Sequence, residues 1–373
     1  MRTVHLRDKG TPLKKKWREC VGAGTAQKGL HADWQRQFEI TVAQCGFERA
    51  RLSDWNKLDS DDMRETDALC DFLTDMSVSP IIRMQAGGAA DNLEGFARHA
   101  IARYGARRAH SWKFEAVYNK TFEQKALALK GVDPFLQVGA VTAVLQAERR
   151  GAPKNADFLV INGPIETLED KSVNRVLDML DKLPKMPVHW DGVNTPHAPE
   201  DGLKDALTLT RRHLSGGLPL DSLSLVSFSG ICKQGAYLVD DSGVRQPSGH
   251  AYRMMDTLGS EELLRGGGYL VTKDKNGKAR AMAWTDASNP DSIEITGMAP
   301  FERLMIETLD AQHGFAYPTW CQMGKPKSPT RYQAQALRQA ALQTDVRFAR
   351  ADSKGSYTME LPKDKNMITL LKA

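Results

Sequence analysis

Residues 135–161, FLQVGAVTAVLQAERRGAPKNADFLVI, contain one complete strand–helix–strand unit. The apolar run Phe135–Ala140 is typical of a buried strand, and Asp157–Ile161 is a second run of the same kind. Between them, residues 144–150 have a helix-like pattern. A helix that connects two neighbouring strands is the usual crossover of a parallel pair. This stretch therefore predicts a β/α/β unit of a parallel sheet.

The same alternation extends from Trp17 to about Leu258. Its strand-like runs are Cys20–Val21, Phe47–Leu52, Pro80–Met84, Trp112–Tyr118, Phe135–Ala140, Asp157–Ile161, Met186–Trp190 and Leu223–Phe228. Its helix-like segments are 31–44, 61–76, 91–104, 121–130, 144–150, 170–182, 199–214 and 249–258. Eight such units of about 30 residues predict an α/β fold of the (β/α)8 TIM barrel type.

An open doubly wound sheet is the competing fold for alternating strands and helices. Such sheets carry a Gly-x-Gly-x-x-Gly turn after the first strand when they bind dinucleotides. Here Gly22-Ala23-Gly24 is followed by Thr25, and the third glycine is missing. The barrel is therefore the favoured prediction.

The sequence changes character after Gly259. Tyr269–Thr272 and Ala279–Trp284 flank Asn276-Gly277, which predicts a hairpin with a tight primed turn. Further strand-like pieces and one helix complete a predicted β-sandwich: Ser292–Ile295, Leu304–Leu309, Tyr357–Leu361, Met367–Leu371 and the helix Pro329–Gln343. Residues Arg2–Leu6 alternate like a strand, and we expect them to join this sandwich from the N-terminus. We expect a barrel domain at 17–259 and a sandwich domain built from 1–16 plus 260–373.

Composition excludes several classes of protein. The 373 residues are 41% hydrophobic and 26% charged, which is globular rather than disordered. The net charge of +5 is spread along the chain, and Lys14-Lys15-Lys16 is the nearest approach to a basic run, so no nucleic-acid partner is expected. No stretch reaches the roughly 18 apolar residues of a membrane span, so none is expected.

The five cysteines are scattered singly, with no spacing typical of a disulfide framework or a metal site; they are Cys20, Cys45, Cys70, Cys232 and Cys321. Residues 1–20 contain no apolar segment typical of a signal peptide. A cytoplasmic protein is therefore expected, and an exported protein that has lost its leader is the alternative.

Several segments together resemble glycoside hydrolase family 39, the β-xylosidase family. They occur in the family's order along nearly the whole chain: Glu19–Gly24, Gly29–Gln35, Cys45–Phe47 leading to Ser60–Met63, Trp112–Glu115, Val132–Pro134 with Val138-Gly139, Pro187–His189 with Asn194, His250–Arg253, Gly268-Tyr269, Ala316-Tyr317 through Trp320, Met323-Gly324, and Glu360–Pro362 continuing to Leu371. The resemblance implies a (β/α)8 barrel with a C-terminal β-sandwich completed by the N-terminal strand. It also implies a retaining glycosidase, which requires two carboxylates at the carboxyl end of the barrel.

Both expected carboxylates are absent. The family's proton donor is the Glu of an Asn-Glu-Pro motif that ends the fourth barrel strand, whereas residues 115–121 here read Glu-Ala-Val-Tyr-Asn-Lys-Thr. The donor position therefore holds Asn119 or Lys120, depending on the alignment. The nucleophile lies in a pattern like His-Phe-Thr-Glu-Trp-Asn near the end of the seventh strand, and residues 189–194 here read His-Trp-Asp-Gly-Val-Asn. That alignment places Gly192 at the nucleophile position.

Two nearby carboxylates are fallback candidates for catalysis, Asp191 and Glu115. Adjacent residues of a strand face opposite sides, so we expect Asp191 to point toward the helices unless a bulge turns it inward. Glu115 faces inward like position 119 but lies four residues deeper, or about 13 Å. We therefore expect Glu115 to be a structural carboxylate paired with Arg51 or Arg83, because an unpaired buried charge is costly.

His189 and His197 lie near the seventh strand but lack a second histidine at helical spacing and a nucleophile elbow. They are interpreted as structural residues, and no metal or cofactor is expected. The polar and aromatic residues near the predicted mouth are the candidates for binding a sugar ring. They are Asp54, Trp55, Asn56, Tyr118, Asn119, Trp190 and Asn194. Packing in the core is the competing interpretation of both tryptophans, and short βα loops predict a shallow pocket.

Three hypotheses about function follow from these residues. The first is a family 39-like pseudoglycosidase that binds an oligosaccharide, a polysaccharide or a protein partner. The second is an active, β-xylosidase-like or other exo-acting glycosidase with relocated carboxylates, Asp191 with Asp54 or Glu115. The third is a scaffold that assembles with itself or with another chain.

Overall fold

The computed structural model describes residues 2–55, 58, 63–83, 90–150, 153–164, 170–182, 186–193, 198–216, 220–224, 237–240 and 242–373. Two short strands, β1 (Arg2–His5) and β2 (Thr11–Pro12), precede a parallel sheet of eight strands. The strands of that sheet are β3 (Val21–Thr25), β4 (Arg49–Ser53), β5 (Ser79–Arg83), β6 (Lys113–Val117), β7 (Gln137–Ala143), β8 (Phe158–Pro164), β9 (Val188–Val193) and β10 (Ser222–Ser224).

Each strand of this sheet pairs in parallel with the next strand in sequence, from β3 to β10. A doubly wound sheet would reverse its strand order at a switch point. The order here never reverses, so the predicted TIM barrel is confirmed and the doubly wound alternative is excluded.

Helices connect the barrel strands. They are α1 (Ala26–Gly29), α2 (Ala32–Cys45), α3 (Arg64–Asp75), α4 (Ala90–Tyr104), α5 (Ala106–Ala109), α6 (Phe122–Val132), α7 (Val144–Arg150), α8 (Asp170–Asp181), α9 (Gly202–Leu214) and α10 (Pro247–Asp256). The prediction of short connections at the carboxyl ends of the strands holds only in part, because 22 residues separate β10 from α10. Helix α1 begins directly after β3, and α7 begins directly after β7.

Helix α2 shows why such a segment packs on the barrel. Its buried residues recur at helical spacing: Trp34, Phe38, Val42 and Cys45 form one apolar face. The rings of Trp34 and Phe38 stack at 4.6 Å between centroids. The helix ends at Gly46, whose φ of 65° allows its N–H to donate to the Val42 carbonyl.

The C-terminal region forms two further sheets. Its strands are β11 (Glu261–Gly266), β12 (Tyr269–Lys273), β13 (Ala279–Trp284), β14 (Ser292–Thr296), β15 (Arg303–Leu309), β16 (Asp345–Arg350), β17 (Tyr357–Glu360) and β18 (Ile368–Lys372), with α11 (Tyr317–Gln322) and α12 (Arg331–Leu342) after β15. The seven-stranded sheet has the order β16-β15-β18-β13-β12-β11-β2, and the three-stranded sheet has the order β1-β14-β17. The predicted contribution of the N-terminal strand is thus confirmed, because β1 pairs with β14.

The central strands of the seven-stranded sheet, β12, β13 and β18, are buried on both faces. Along β13, Ala281 and Ala283 pack into the core between the two sheets, whereas Met282 and Trp284 belong to the same apolar cluster as the barrel helices. Strand alternation therefore joins sandwich and barrel through one continuous core. The domain limits at residues 16/17 and 259/260 stay a prediction.

The hairpin between β12 and β13 differs from its prediction in the turn. Only Gly277 of the Asn-Gly pair has positive φ, at 75°. A primed two-residue turn of type I′ would require positive φ at both residues. Instead the turn spans residues 274–278, and the Asp274 side chain accepts from the N–H groups of Asn276 and Lys278. The strands β11 and β16 and the helix α11 were not predicted.

Replacing Gly139 by alanine tests the packing inside the barrel. A Cβ at Gly139 would lie 2.1 Å from Cε2 of Phe158 on the neighbouring strand. We expect Gly139→Ala to lower the free energy of unfolding by about 1–3 kcal/mol, measured by urea denaturation, because the ring has to move.

Gly95→Ala in α4 is the matched control, since a Cβ there meets nothing within 4 Å. It should raise stability by about 0.5–1 kcal/mol, because alanine is the better helix former. Equal effects of the two substitutions would contradict this account of the barrel packing.

Candidate functional site

Four charged side chains meet inside the barrel: Arg51 from β4, Arg83 from β5, Glu115 from β6 and Asp191 from β9. Arg51 donates to both Glu115 oxygens at 2.9–3.1 Å and to Asp191 Oδ1 at 3.1 Å. Arg83 donates to Glu115 Oε2 at 2.8 Å and to Asp191 Oδ2 at 2.6 Å. Each carboxylate therefore contacts both guanidinium groups, and the formal charges cancel. We call these four residues the charge cluster.

The charge cluster keeps Glu115 ionised although it is completely buried. Burial alone would raise the pKa of Glu115, but attraction to Arg51 and Arg83, with their hydrogen bonds, outweighs burial and lowers the pKa to about 2. The predicted pairing of Glu115 with an inward arginine is thus observed, with both candidates at once. A carboxyl group with so low a pKa holds no proton to donate near neutral pH.

Asp191 does not point toward the helices, and that expectation is wrong. Strand β9 pairs with β8 without a bulge, with Asn162 opposite Asp191 and Gly163 opposite Gly192. His189 and Asp191 both face the barrel interior, as their contacts with Lys113 and the two arginines require. The sequence alignment predicted that position 192 faces the barrel interior, whereas in the structure Asp191 does.

A second polar layer lies beneath the charge cluster. Lys113 donates to Glu19 Oε1 at 2.7 Å and lies 3.1 Å from His189 Nε2, and Glu19 also contacts Arg49 at 2.7 Å. An ammonium group offers only donors, so His189 Nε2 accepts and its Nδ1–H donates to Ser222 Oγ at 2.7 Å. Burial, together with the charge of Lys113, lowers the pKa of His189 to about 3. His189 is therefore a neutral structural residue, as interpreted from the sequence.

The positions expected to carry the proton donor hold no acid. Asn119 follows β6 and uses its Oδ1 locally, accepting from the N–H and the hydroxyl of Thr121 at 2.9 and 2.8 Å. This arrangement is an Asx turn that leads into α6. Lys120 is exposed. Tyr118 is half-buried, and its ring lies 5.7 Å from that of Phe122.

The two tryptophans proposed as sugar platforms are core residues, so that prediction is corrected. Trp55 is buried against Phe96 and donates to the Leu52 carbonyl at 3.0 Å. Trp190 is fully buried beside Gly163 and donates to its carbonyl at 3.1 Å. Neither ring face is available to a ligand. Asp54 is also buried, with a φ of 61°.

Asn56 and Asn194, two further binding candidates, lie outside the described residues, as do Lys57, His197 and Cys232. Among the described side chains, no group of three His, Cys, Asp or Glu residues is arranged to hold a metal ion. Within the same part of the chain, every helix is too short or too polar to cross a membrane.

Two buried polar atoms near the charge cluster were missed from the sequence: Asn162 Oδ1 and Ser224 Oγ have no hydrogen-bond partner among the described residues. Ser224 pairs with Asp191 in the β9–β10 ladder, and Asn162 pairs with Asp191 in the β8–β9 ladder. Both therefore share the inward parity and the depth of Asp191 in the barrel. Side chains two residues apart on a strand face the same side, so counting on by two from Ser222 would have predicted that Ser224 faces the interior.

Glu115→Gln tests whether the charge cluster holds the barrel together. The substitution leaves Arg51 and Arg83 with one carboxylate between them, so we expect a loss of about 3–5 kcal/mol in the free energy of unfolding. Glu94→Gln removes a surface contact with Arg98 in α4 and should change stability by at most about 0.5 kcal/mol. A loss for Glu115→Gln no larger than that of Glu94→Gln would refute the structural role.

Lowering the pH should destabilise the fold between about 6.5 and 3. Burial lowers the pKa of His189, His213 and His250 from the usual 6.5 to about 3 in each case. In this window the unfolded chain binds more protons, so each histidine contributes a slope of up to about 1.4 kcal/mol per pH unit. Glu115 adds a loss of stability in the same direction as the pH falls below about 4.5.

Urea denaturation at several pH values measures the dependence of the free energy of unfolding on pH. The His213→Gln variant should show a smaller slope than the wild type. A free energy of unfolding that does not change from pH 6.5 to 5 would contradict the prediction.

Comparison with known proteins confirms the resemblance. No protein-family model matches the sequence. The β-xylosidase of Geobacillus stearothermophilus is 24% identical over 480 residues, covering 100% of this chain and 95% of that protein. The β-xylosidase of Caldicellulosiruptor saccharolyticus is 22% identical, covering 88% of this chain and 89% of that protein. The first alignment is longer than this chain of 373 residues, so about a hundred of its positions have no counterpart here.

Solved structures agree in fold. The family 39 β-xylosidase of Caulobacter crescentus superposes with a TM-score of 0.79 at 20% identity, covering 99% of this chain and 98% of that one. The family 39 enzyme of Xanthomonas axonopodis pv. citri gives 0.80 at 17% identity, covering 99% and 96%. The chain is thus similar along its whole length to the β-xylosidases of glycoside hydrolase family 39.

Proposed function

We propose that this protein is a non-hydrolytic relative of the family 39 β-xylosidases that binds a saccharide at the carboxyl end of its barrel. The observation that carries the proposal is the charge cluster. The interior carboxylates Glu115 and Asp191 are both neutralised by Arg51 and Arg83, while the expected catalytic positions hold Asn119 or Lys120, and Gly192.

Hydrolysis with retention needs a free carboxylate to attack the sugar and a protonated carboxyl group to assist the leaving oxygen. Glu115 meets neither requirement, because it is fully buried and its pKa is lowered to about 2. Asp191 is bonded to two guanidinium groups, which withdraw the electron density that a nucleophile must supply. The electrostatics of the barrel therefore favour binding over catalysis.

The polar groups around Asp191 support a saccharide as the ligand. Arg83 and Asp191 remain 18% and 17% exposed, and the unpartnered Asn162 Oδ1 and Ser224 Oγ lie at the same depth. Hydroxyl groups of a sugar can donate to Asn162 Oδ1 and exchange hydrogen bonds with Ser224 Oγ. An unpartnered buried polar atom costs free energy that such a ligand would recover.

An active glycosidase remains the second candidate because of one observation. Asp191 faces the barrel interior together with Glu115, and both carboxylates contact the same arginines. Two carboxylates facing one cleft are what relocated catalysis needs. In this case Asp191 is the nucleophile, and the xylosides cleaved by the similar enzymes are the first substrates to try.

The two candidates differ in turnover of aryl glycosides. We expect the purified protein to release no nitrophenol from a panel led by nitrophenyl β-xyloside, beyond the rate of the Asp191→Asn variant. Thermal unfolding of both proteins checks that the variant folds. Turnover by the wild type that Asp191→Asn abolishes would overturn the proposal and establish the active glycosidase.

Binding at the barrel mouth has its own test. Titration calorimetry with xylo-oligosaccharides should give an affinity that Ser224→Ala weakens about three- to tenfold, since one hydrogen bond is lost. Ser79→Ala at the opposite end of the barrel, where Ser79 contacts Ser111, is the control and should bind normally. Equal affinities for Ser224→Ala and wild type would place any bound sugar elsewhere.

A further inference from the structure

A groove of about 580 Å³ runs along the outer wall of the barrel, away from the charge cluster. One wall is the face of α2 that carries Gln37, Ile40 and Gln44, opposite the buried face of that helix. The other wall is α12, through Arg338 and Leu342, which are one helical turn apart. The segment that leads into α10 closes the groove between the two helices.

Two arginines in this groove donate to neutral oxygen atoms, and within the described residues neither is paired with a carboxylate. Arg245 is half-buried and donates to Gln44 Oε1. Arg338 donates to the carbonyl oxygen of Ser242 at 2.7 Å. Neither guanidinium forms an ion pair with a carboxylate of the described residues, because both acceptors are neutral.

The other charges near the groove leave this excess in place. Arg36 pairs with Asp33 at 3.2 Å on the exposed start of α2, and these two charges cancel. Arg253, behind Arg245, is paired with Glu307. Burial and the charge of Arg253 lower the pKa of Arg245, whereas the nearby Glu307, which is paired with Arg253, acts in the opposite direction. An anion in the groove would add a negative charge on the side of Arg245 that faces Arg338.

The remaining lining indicates what kind of molecule carries that anion. A guanidinium fork matches the two oxygens of a carboxylate. Gln37 and Ser242 supply amide and hydroxyl groups, and Ile40 and Leu342 supply exposed apolar surface, 48% and 56% exposed. A ring with hydroxyl groups on its edge and C–H bonds on its face fits both kinds of surface. The volume lies within the usual range for small-molecule sites, about 300–1,000 Å³.

We propose that the groove between α2 and α12 is a second ligand site that binds a sugar acid, with the carboxylate held by Arg245 and Arg338. The anion site follows from the two arginines alone. The choice of a sugar as the body of the ligand rests on the proposed function. This site is separate from the barrel mouth. We therefore expect acidic sugars to bind in the groove and neutral sugars to bind at the barrel mouth.

Calorimetric titration with glucuronate, glucose and inorganic phosphate tests the proposal. Glucuronate should bind, and Arg338→Gln and Arg245→Gln should each weaken it at least tenfold. Arg331→Gln is the matched control, because Arg331 is an exposed arginine of the same helix outside the groove. It removes the same charge and should leave the affinity unchanged. Glucose should bind at least tenfold more weakly than glucuronate, since it lacks the carboxylate.

Each contrary result has a definite meaning. Equal glucuronate affinities for Arg338→Gln and wild type, with both proteins folded by thermal unfolding, would overturn the site. Phosphate binding as tightly as glucuronate would overturn the sugar acid and leave a general anion site. Loss of glucuronate binding in Ser224→Ala but not in Arg338→Gln would place the ligand at the barrel mouth, so the groove would fail while the proposed function stood. If xylo-oligosaccharides do not bind but Arg338→Gln weakens glucuronate binding, the proposed function would fail while the groove site stood.

Discussion

Two arginines and two carboxylates neutralise one another in the interior of this barrel, and the positions of four strands depend on that balance. Arg51, Arg83, Glu115 and Asp191 come from β4, β5, β6 and β9, so their ion pairs reach across the barrel as well as along the sheet. Interiors of TIM barrels are usually filled by branched apolar side chains. Here the apolar interior residues Val141, Phe158 and Val160 form only a small cluster of their own. Removing any one member of the charge cluster leaves a buried charge without its counter-ion, which is why the cluster constrains the whole interior.

The same neutrality bears on chemistry. A glycosidase separates the roles of its carboxylates by giving one a raised pKa and leaving the other free to attack. In this barrel both carboxylates contact the same pair of cations, and the pKa of the buried Glu115 is lowered rather than raised. In the layer beneath, Lys113 lies between the carboxylate of Glu19 and the neutral ring of His189. At the level of Asp191, Asn162 and Ser224 have buried polar atoms without partners among the described residues, and a ligand that reached them could supply those hydrogen bonds.

The outer shell of the barrel follows ordinary apolar packing. Outward-facing strand residues such as Phe114 and Trp190 pack against the helices, and the seven-stranded sheet extends that core into the sandwich. At the carboxyl ends of the strands, the connections after β3 and β7 are short, whereas 22 residues connect β10 to α10. The groove between α2 and α12 arises because a helix inserted between two sandwich strands lies near the barrel wall. Its two unpaired arginines belong to segments far apart in the sequence, and only the fold brings them together.

The sequence alone determined the barrel, the pairing of β12 with β13 and the part played by the N-terminal strand, because periodicity and turn residues are local signals. It also determined that Asn119, Lys120 and Gly192 cannot supply acid chemistry, and it anticipated the pairing of Glu115 with an inward arginine. Only the tertiary structure decided which way Asp191 faces, since a one-residue uncertainty in strand parity moves a side chain from the interior to the helices. For Trp55 and Trp190 the sequence left sugar binding and core packing both open, and their burial in the structure decides for core packing. The charge cluster and the two arginines of the groove bring together residues from distant segments of the chain. Their energies depend on burial and on distances between atoms, which cannot be predicted from a local sequence pattern.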